Sequence, residues 1–238
     1  PDKIRIGNRK FEYIGAEKMK EIIKYLTELK ANNNREWFQE HKNEYDVLRA
    51  RFIAEMETLL SKLKEFDPDL AGLDVKSCLF RIYRDIRFSY DKTPYKPYFS
   101  IYFAKGGRKS PRAGYYFHFE PGSISLSGGV WCPEPKVLRA LRQAIYDNSD
   151  EFRAIVENEQ FKKVYPSFYG ESLKTVPRPF PKDADCAEYL KLKNLAADGP
   201  CPDSLFYADG WIDTVAEGFR TLKPFNDFLN YTVDDFYE

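Results

Sequence analysis

The chain has 238 residues, 43% of them hydrophobic, 16% aromatic and 31% charged, which supplies a sizeable core and excludes a disordered segment. Lys plus Arg and Asp plus Glu stand at 37 each, so net charge does not make it a generic polyanion binder. No apolar run reaches the roughly 20 residues that span a bilayer, the start Pro1-Asp2-Lys3-Ile4-Arg5 has no signal-peptide core, and the four cysteines have no zinc or redox spacing, so a cytoplasmic protein with reduced thiols and no membrane partner is expected.

Met19, Ile22, Ile23, Leu26 and Leu29 recur at helical spacing and predict a first helix. Past Asn32-Asn33-Asn34, the series His41, Tyr45, Leu48, Phe52, Met56, Leu59, Leu63 predicts a longer one. Asn33 and Glu36 would form its capping box, Asp67-Pro68 would end it, and His41 would lie on its buried stripe. From Cys78 to Phe88 the period falls to two and predicts a strand: Cys78, Phe80, Ile82, Arg84, Ile86 and Phe88 on one face, Leu79, Arg81, Tyr83, Asp85 and Arg87 on the other.

Phe99, Ile101 and Phe103, then Tyr115, Phe117 and Phe119, mark two more strands. Pro121-Gly122 turns the chain, and Ile124 and Leu126 continue in a strand that Gly128-Gly129 ends. The short connections favour antiparallel pairing. Pro133 and Pro135 suit the start of a helix carrying Val137, Leu138, Leu141 and Ile145; Asp150 to Lys163 predicts another, Pro166 to Pro181 an ordered loop, and Leu205-Phe206-Tyr207 a strand. A last helix carries Ile212, Val215, Phe219 and Leu222, and Pro224 ends or kinks it. The expected fold is α+β: an antiparallel sheet of about four to six strands with one face covered by helices. Residues 1–16 read as an N-terminal extension and 17–238 as a single domain.

Phe80-Arg81-Ile82-Tyr83-Arg84-Asp85-Ile86-Arg87-Phe88-Ser89 followed by Asp91-Lys92-Thr93-Pro94-Tyr95-Lys96 resembles the hallmark of the domain of unknown function 2461 family, which comprises conserved bacterial and fungal proteins. Asn32-Asn33-Asn34-Arg35-Glu36-Trp37-Phe38, Gly114 to Gly122 and Gly128-Gly129-Val130-Trp131 fit the same pattern, over roughly Met19 to Asp227. The resemblance implies membership and carries over no catalytic residue, cofactor or substrate.

If the apolar side of each strand faces the helices, the other side collects Arg81, Tyr83, Asp85 and Arg87 with Tyr98, Ser100, Tyr102, Tyr116, His118, Glu120, Ser123, Ser125 and Ser127. Guanidinium forks, phenols and hydroxyls are groups that hold and orient a small anionic, phosphorylated ligand. Ligand-binding candidates are therefore Arg81, Tyr83, Arg84, Arg87, Ser89, Lys92, Lys96 and Tyr116, although alternation sends Arg84 to the opposite side. His118, Glu120 and Asp85 are the candidate acid/base groups. The same residue types are also ordinary on a solvated sheet face.

No metal site is expected, since His41 and His118 are the only histidines. Cys132 precedes a helix start but has no neighbouring base. Trp37 and Trp131 read as core residues.

Between Asp74 and Arg112 ten basic residues meet three acidic ones, an excess of +7; from Asp198 to Glu238 nine acidic residues meet two basic ones, an excess of −7. The two segments could neutralise each other. The basic one, residues 76–112, could instead bind nucleic acid, with Tyr83, Phe88, Tyr90, Tyr95 and Tyr98 for stacking. A protein-interaction module without catalysis is the third possibility.

Overall fold

A computed structural model describes residues 15–237 and, before them, the backbone of residues 5–6 and 9–10. Most of the expected N-terminal extension lies outside the described residues. Within it, β1 (Arg5–Ile6) pairs with β2 (Arg9–Lys10).

The predicted αα-hairpin forms, with a different joint. After α1 (Gly15–Ala31) the chain makes a short α2 (Arg35–Glu40) before α3 (Lys42–Lys64). The cap of α2 is Asn34, one residue later than the spacing suggested: its side chain accepts from the Trp37 N–H at 2.9 Å. Asn33 is spent elsewhere, bonded in both directions to the backbone of Tyr95 (2.9 and 3.1 Å). His41 breaks the helix between α2 and α3 instead of lining a continuous stripe. It is half-buried, stacked on Trp37 at 4.0 Å and bonded through Nδ1 to the Trp37 carbonyl at 2.8 Å.

The largest correction concerns residues 78–88. Cys78 closes a short α4 (Val75–Cys78), and the chain then runs extended but irregular, joined to the sheet only by an isolated bridge from Leu79 to Ile101. Tyr83 bridges to Tyr95, and Lys96 N donates to the Ile82 carbonyl at 2.8 Å, so residues 79–96 fold back as a loop and not as a strand. Alternation needs a continuous partner to become a strand. Here the polar side chains take local bonds that compete with a ladder.

The sheet is antiparallel, in the order β3 (Phe99–Phe103), β4 (Gly114–Phe119), β5 (Ile124–Val130), β7 (Leu195–Cys201), β6 (Ser167–Phe168). β5 runs through Gly128 and Gly129, which were expected to end it. A Cβ on Gly128 would lie 2.3 Å from the Gly114 carbonyl oxygen and 2.2 Å from Leu222 Cδ2, so glycine here allows close strand and helix approach. The strand expected at Leu205-Phe206-Tyr207 is part of a 3-10 helix, Asp203–Tyr207, and the sheet is extended instead by β7, a strand not expected from the sequence.

One face of the sheet is the core. Phe52 of α3 packs on Phe99, Phe117 and Phe119, while Trp211 and Phe219 of α9 (Trp211–Tyr237) meet Phe117 and Tyr115. α9 passes straight through Pro224, which costs the helix one backbone bond and does not end it. Asn226 and Asn230 of α9 tie its buried face to the start of β4, through the Gly114 carbonyl (3.1 Å) and both backbone groups of Ala113 (2.8 and 3.1 Å). α5 (Pro135–Asp147), α6 (Ser149–Val156) and α7 (Glu159–Val164) pack around α9, with Phe152 and Phe161 on Phe225. The helix expected from Asp150 to Lys163 is thus two, because Asn158 caps a new start. α8 (Ala187–Leu190) ends the connection from β6 to β7. Trp37 packs partly against the core as expected, but Trp131 is 62% exposed.

Candidate functional site

The other face of the sheet collects hydrogen-bonding groups in register. Ser100, His118 and Ser125 lie in one row, and Tyr102, Tyr116, Ser127 and Asp198 in the next. Ser127 donates to the Asp198 carboxylate at 2.7 Å, and the Tyr102 hydroxyl is spent on the carbonyls of Arg112 and Gly129 (2.7 and 3.1 Å). Alternation along β4 puts Tyr116, His118 and the following Glu120 on this face, one above the other.

These three are joined. The Tyr116 hydroxyl is 3.2 Å from His118 Nδ1, and His118 Nε2 is 3.3 Å from Glu120 Oε2. With the neutral Nε2–H tautomer, every partner is matched: Tyr116 donates to Nδ1 and Nε2–H donates to the carboxylate. The second Glu120 oxygen accepts from Lys30 Nζ of α1 at 2.9 Å. Both His118 bonds are long. Burial pushes the His118 imidazolium below its ordinary range, against the opposing pull of Glu120 and Asp198. Burial also pushes the Tyr116 phenol up to about 12. Burial thus favours the protonated phenol of Tyr116 and the neutral imidazole of His118.

The rim beside this relay is aromatic and cationic. Tyr98 stands 4.4 Å from the His118 ring, and Phe80 meets Tyr116 edge-on at 6.2 Å. Lys96 Nζ lies over both rings, 5.6 Å from Phe80 and 5.8 Å from Tyr98. It has neither a hydrogen bond nor a carboxylate partner among the described residues, and burial followed by the charge of Arg81 holds it below the ordinary lysine range. Arg81 is exposed and equally without a bonding partner among the described residues.

The remaining predicted residues are brought together less well, because residues 79–96 are not a strand of this face. Arg84 is committed to Asp91 and to the Thr93 hydroxyl and carbonyl. Arg87 makes a fork with Asp85 at 2.9 and 2.6 Å, and Lys92 caps the Ile86 carbonyl at 3.0 Å. Those bonds hold Asp85 and Asp91 down to about 2. Asp85 therefore serves Arg87 and not the relay. Tyr83 packs on Tyr95 and Phe38, and Ser89 sits in a turn on the Ile86 carbonyl. Of the ten candidate side chains and Asp85, the structure gathers Arg81, Lys96, Tyr116, His118 and Glu120.

Within the basic segment Asp85 and Asp91 answer Arg87 and Arg84; from outside it Asp69 answers Lys105 and Arg112, and the acidic end contributes Asp234 to Arg112 at 3.1 Å. Cys132 is exposed, with its backbone N–H on Asn194. Among the described residues, no three His, Cys, Asp or Glu side chains converge on a metal position, and no helix is long and apolar enough to cross a membrane.

The sequence profile of the conserved hypothetical protein family DUF2461 matches residues 21–228. The chain belongs to this family. No curated protein and no solved structure matches it. For this DUF2461 protein the relay, the aromatic rim and the two unpartnered cations define the candidate site.

Asp198, Lys30 and Phe80 were not anticipated in the site. Lys30 is an ordinary helix-end lysine in the sequence, Asp198 sits before Gly199-Pro200, which disguises a strand, and Phe80 was assigned to the apolar side.

The His118 environment sets a pH dependence. A folded-state value below the ordinary 6.5 means that the unfolded chain binds the proton more readily. The stabilisation is complete above about pH 6.5 and is lost as pH falls towards the lowered folded value. Urea unfolding at about pH 7.5 and about pH 5.5 is expected to show a steeper loss for wild type than for His118→Asn. Parallel losses would show that His118 is not held neutral.

Proposed function

We propose that the polar face of the sheet binds a small anionic ligand, carrying phosphate or carboxylate, and that the Tyr116–His118–Glu120 relay moves a proton to or from it. The observation that carries this is the pairing of an internally matched relay with two cations, Arg81 and Lys96, that no carboxylate among the described residues answers. A half-buried ammonium without a partner lowers stability unless something else compensates for it, and an anion at this rim would. Tyr98 and Phe80 would flank the ligand, and Ser100 and Ser125 lie in the same row as His118. Lys92, Arg84 and Arg87 serve this site by shaping the loop that places Arg81 and Lys96. The thiols are free, with Cys78 and Cys186 buried, which suits a reducing, cytoplasmic setting.

A second reading, single-stranded nucleic acid, is favoured by Phe88 and Tyr90, which stand 95% and 104% exposed on the loop and offer free faces for bases. Against it, Arg84, Arg87 and Arg112 already have carboxylate partners.

Thermal unfolding with inorganic phosphate, sugar phosphates, carboxylic acids, nucleotides and a single-stranded oligonucleotide tests both. A small anion at about 100 times its dissociation constant adds roughly 2.7 kcal/mol, a rise of roughly 5–10 °C. That rise is expected in wild type and lost in both Arg81→Ala and His118→Asn. A shift with the oligonucleotide alone, falling steeply with salt and lost in Phe88→Ala, would move the function to nucleic acid. No shift above about a degree with any of them would leave a protein-interaction surface.

A further inference from the structure

We propose that Lys96 is a nucleophile that forms an imine with an anionic carbonyl compound, an aldehyde or ketone bearing phosphate or carboxylate. This rests on the anion-binding reading above and names its substrate class.

Lys96 differs from the other lysines of the basic segment in its surroundings. Lys92 is bonded to a carbonyl, Lys105 lies 3.9 Å from Asp69 and Lys76 and Lys109 are exposed, whereas Lys96 is half-buried with its Nζ over two ring faces. Its backbone is fixed by the bond from its N–H to the Ile82 carbonyl at 2.8 Å, so the side chain leaves from a set position at the edge of the sheet. The ring faces favour the ammonium. Loss of water and the neighbouring Arg81 guanidinium favour the free amine, the combination that activates lysines for carbonyl chemistry. Both act here, and burial is the larger.

The site supplies the rest. Arg81 is the uncommitted fork for the anionic group. Tyr98 has the His118 ring 4.4 Å away and Lys96 Nζ over it at 5.8 Å, so a substrate lying at Tyr98 would have both the amine and the relay as neighbours. In the reaction the Nζ lone pair adds to the carbonyl carbon and the carbonyl π electrons pass to oxygen, which takes a proton to give a carbinolamine. The nitrogen then loses a proton, the hydroxyl gains one and leaves as water, the C=N bond forms as an iminium, and its nitrogen gives up the last proton. Amine and carbonyl become imine and water, with no oxidant or reductant. His118, neutral between a donor and a carboxylate, is placed to pass those protons.

The test uses the whole chain with pyridoxal 5′-phosphate as the anionic aldehyde and sodium cyanoborohydride to fix any imine as a stable amine, followed by peptide mapping by mass spectrometry. Lys24, whose side chain is 78% exposed, is the internal reference. Lys96 is expected to be labelled at least about tenfold faster than Lys24, with excess inorganic phosphate slowing Lys96 alone. Lys96→Arg should lose the adduct at this position while Lys24 is still labelled. Labelling of Lys96 no faster than Lys24 overturns the proposal. If the His118-dependent thermal shift persists in that case, only the covalent step fails. If the shift is absent too, the anion-binding reading falls with it. The comparison within wild type stands even where Lys96→Arg does not fold.

Discussion

Gly129→Ala is expected to lower stability by about 2–5 kcal/mol, the sum of backbone strain and overpacking. Gly129 has φ +112°, where an L-residue is strained, and a Cβ there would sit 2.1 Å from the Leu195 carbonyl oxygen and 2.8 Å from Phe225 Cε1. The first contact is with the backbone of β7 and cannot be relieved by a rotamer change. For a chain of this length the melting temperature should fall by roughly 5–15 °C. Gly122→Ala is the control, since Gly122 also has a positive φ (+76°) but no atom within 4 Å of the added methyl; its cost should stay near 1 kcal/mol. Equal costs for the two would show that β5 and β7 do not approach as described.

Phe117→Ala should cost about 3–5 kcal/mol, the range for deleting a fully buried aromatic ring. Phe117 is 0% exposed and meets Phe52 of α3, Phe119, Phe206 and Trp211 of α9, so no single neighbour can collapse into the space. Denaturant unfolding measures it directly. Tyr116→Phe, on the other side of the same strand, deletes only a hydroxyl shared with His118 and should cost far less. A Phe117→Ala loss below about 1 kcal/mol would mean that the helix layer does not rest on this strand.

Much of this was legible from residue order. The two-residue period from Phe99 through Leu126 named three strands and both of their faces, because each has a continuous partner and one dry side. Tyr116, His118 and Glu120 followed from that period alone. The same period misled at residues 78–88, where Arg84, Asp85, Arg87 and Asp91 find closer partners within the loop than a ladder would offer. β7 escaped notice because Leu195-Ala196-Ala197-Asp198-Gly199 lacks the β-branched and aromatic residues that mark strands; its place is set by the glycines and small residues of β5 beside it. Lys96 was singled out for its charge, while its place over two ring faces, with no carboxylate partner among the described residues, exists only in three dimensions.

The hydrogen bonds that Asn226 and Asn230 make with Ala113 and Gly114, where β4 begins, have a consequence for the candidate site. β4 carries the core on one side and the relay on the other, so a slip of a single residue would turn Tyr116, His118 and Glu120 into the helix layer and Phe117 and Phe119 into water. A side-chain clamp at one end of the strand decides which way every residue beyond it points. In that sense two buried asparagines on the last helix help to choose which face of the sheet is dry and which is polar.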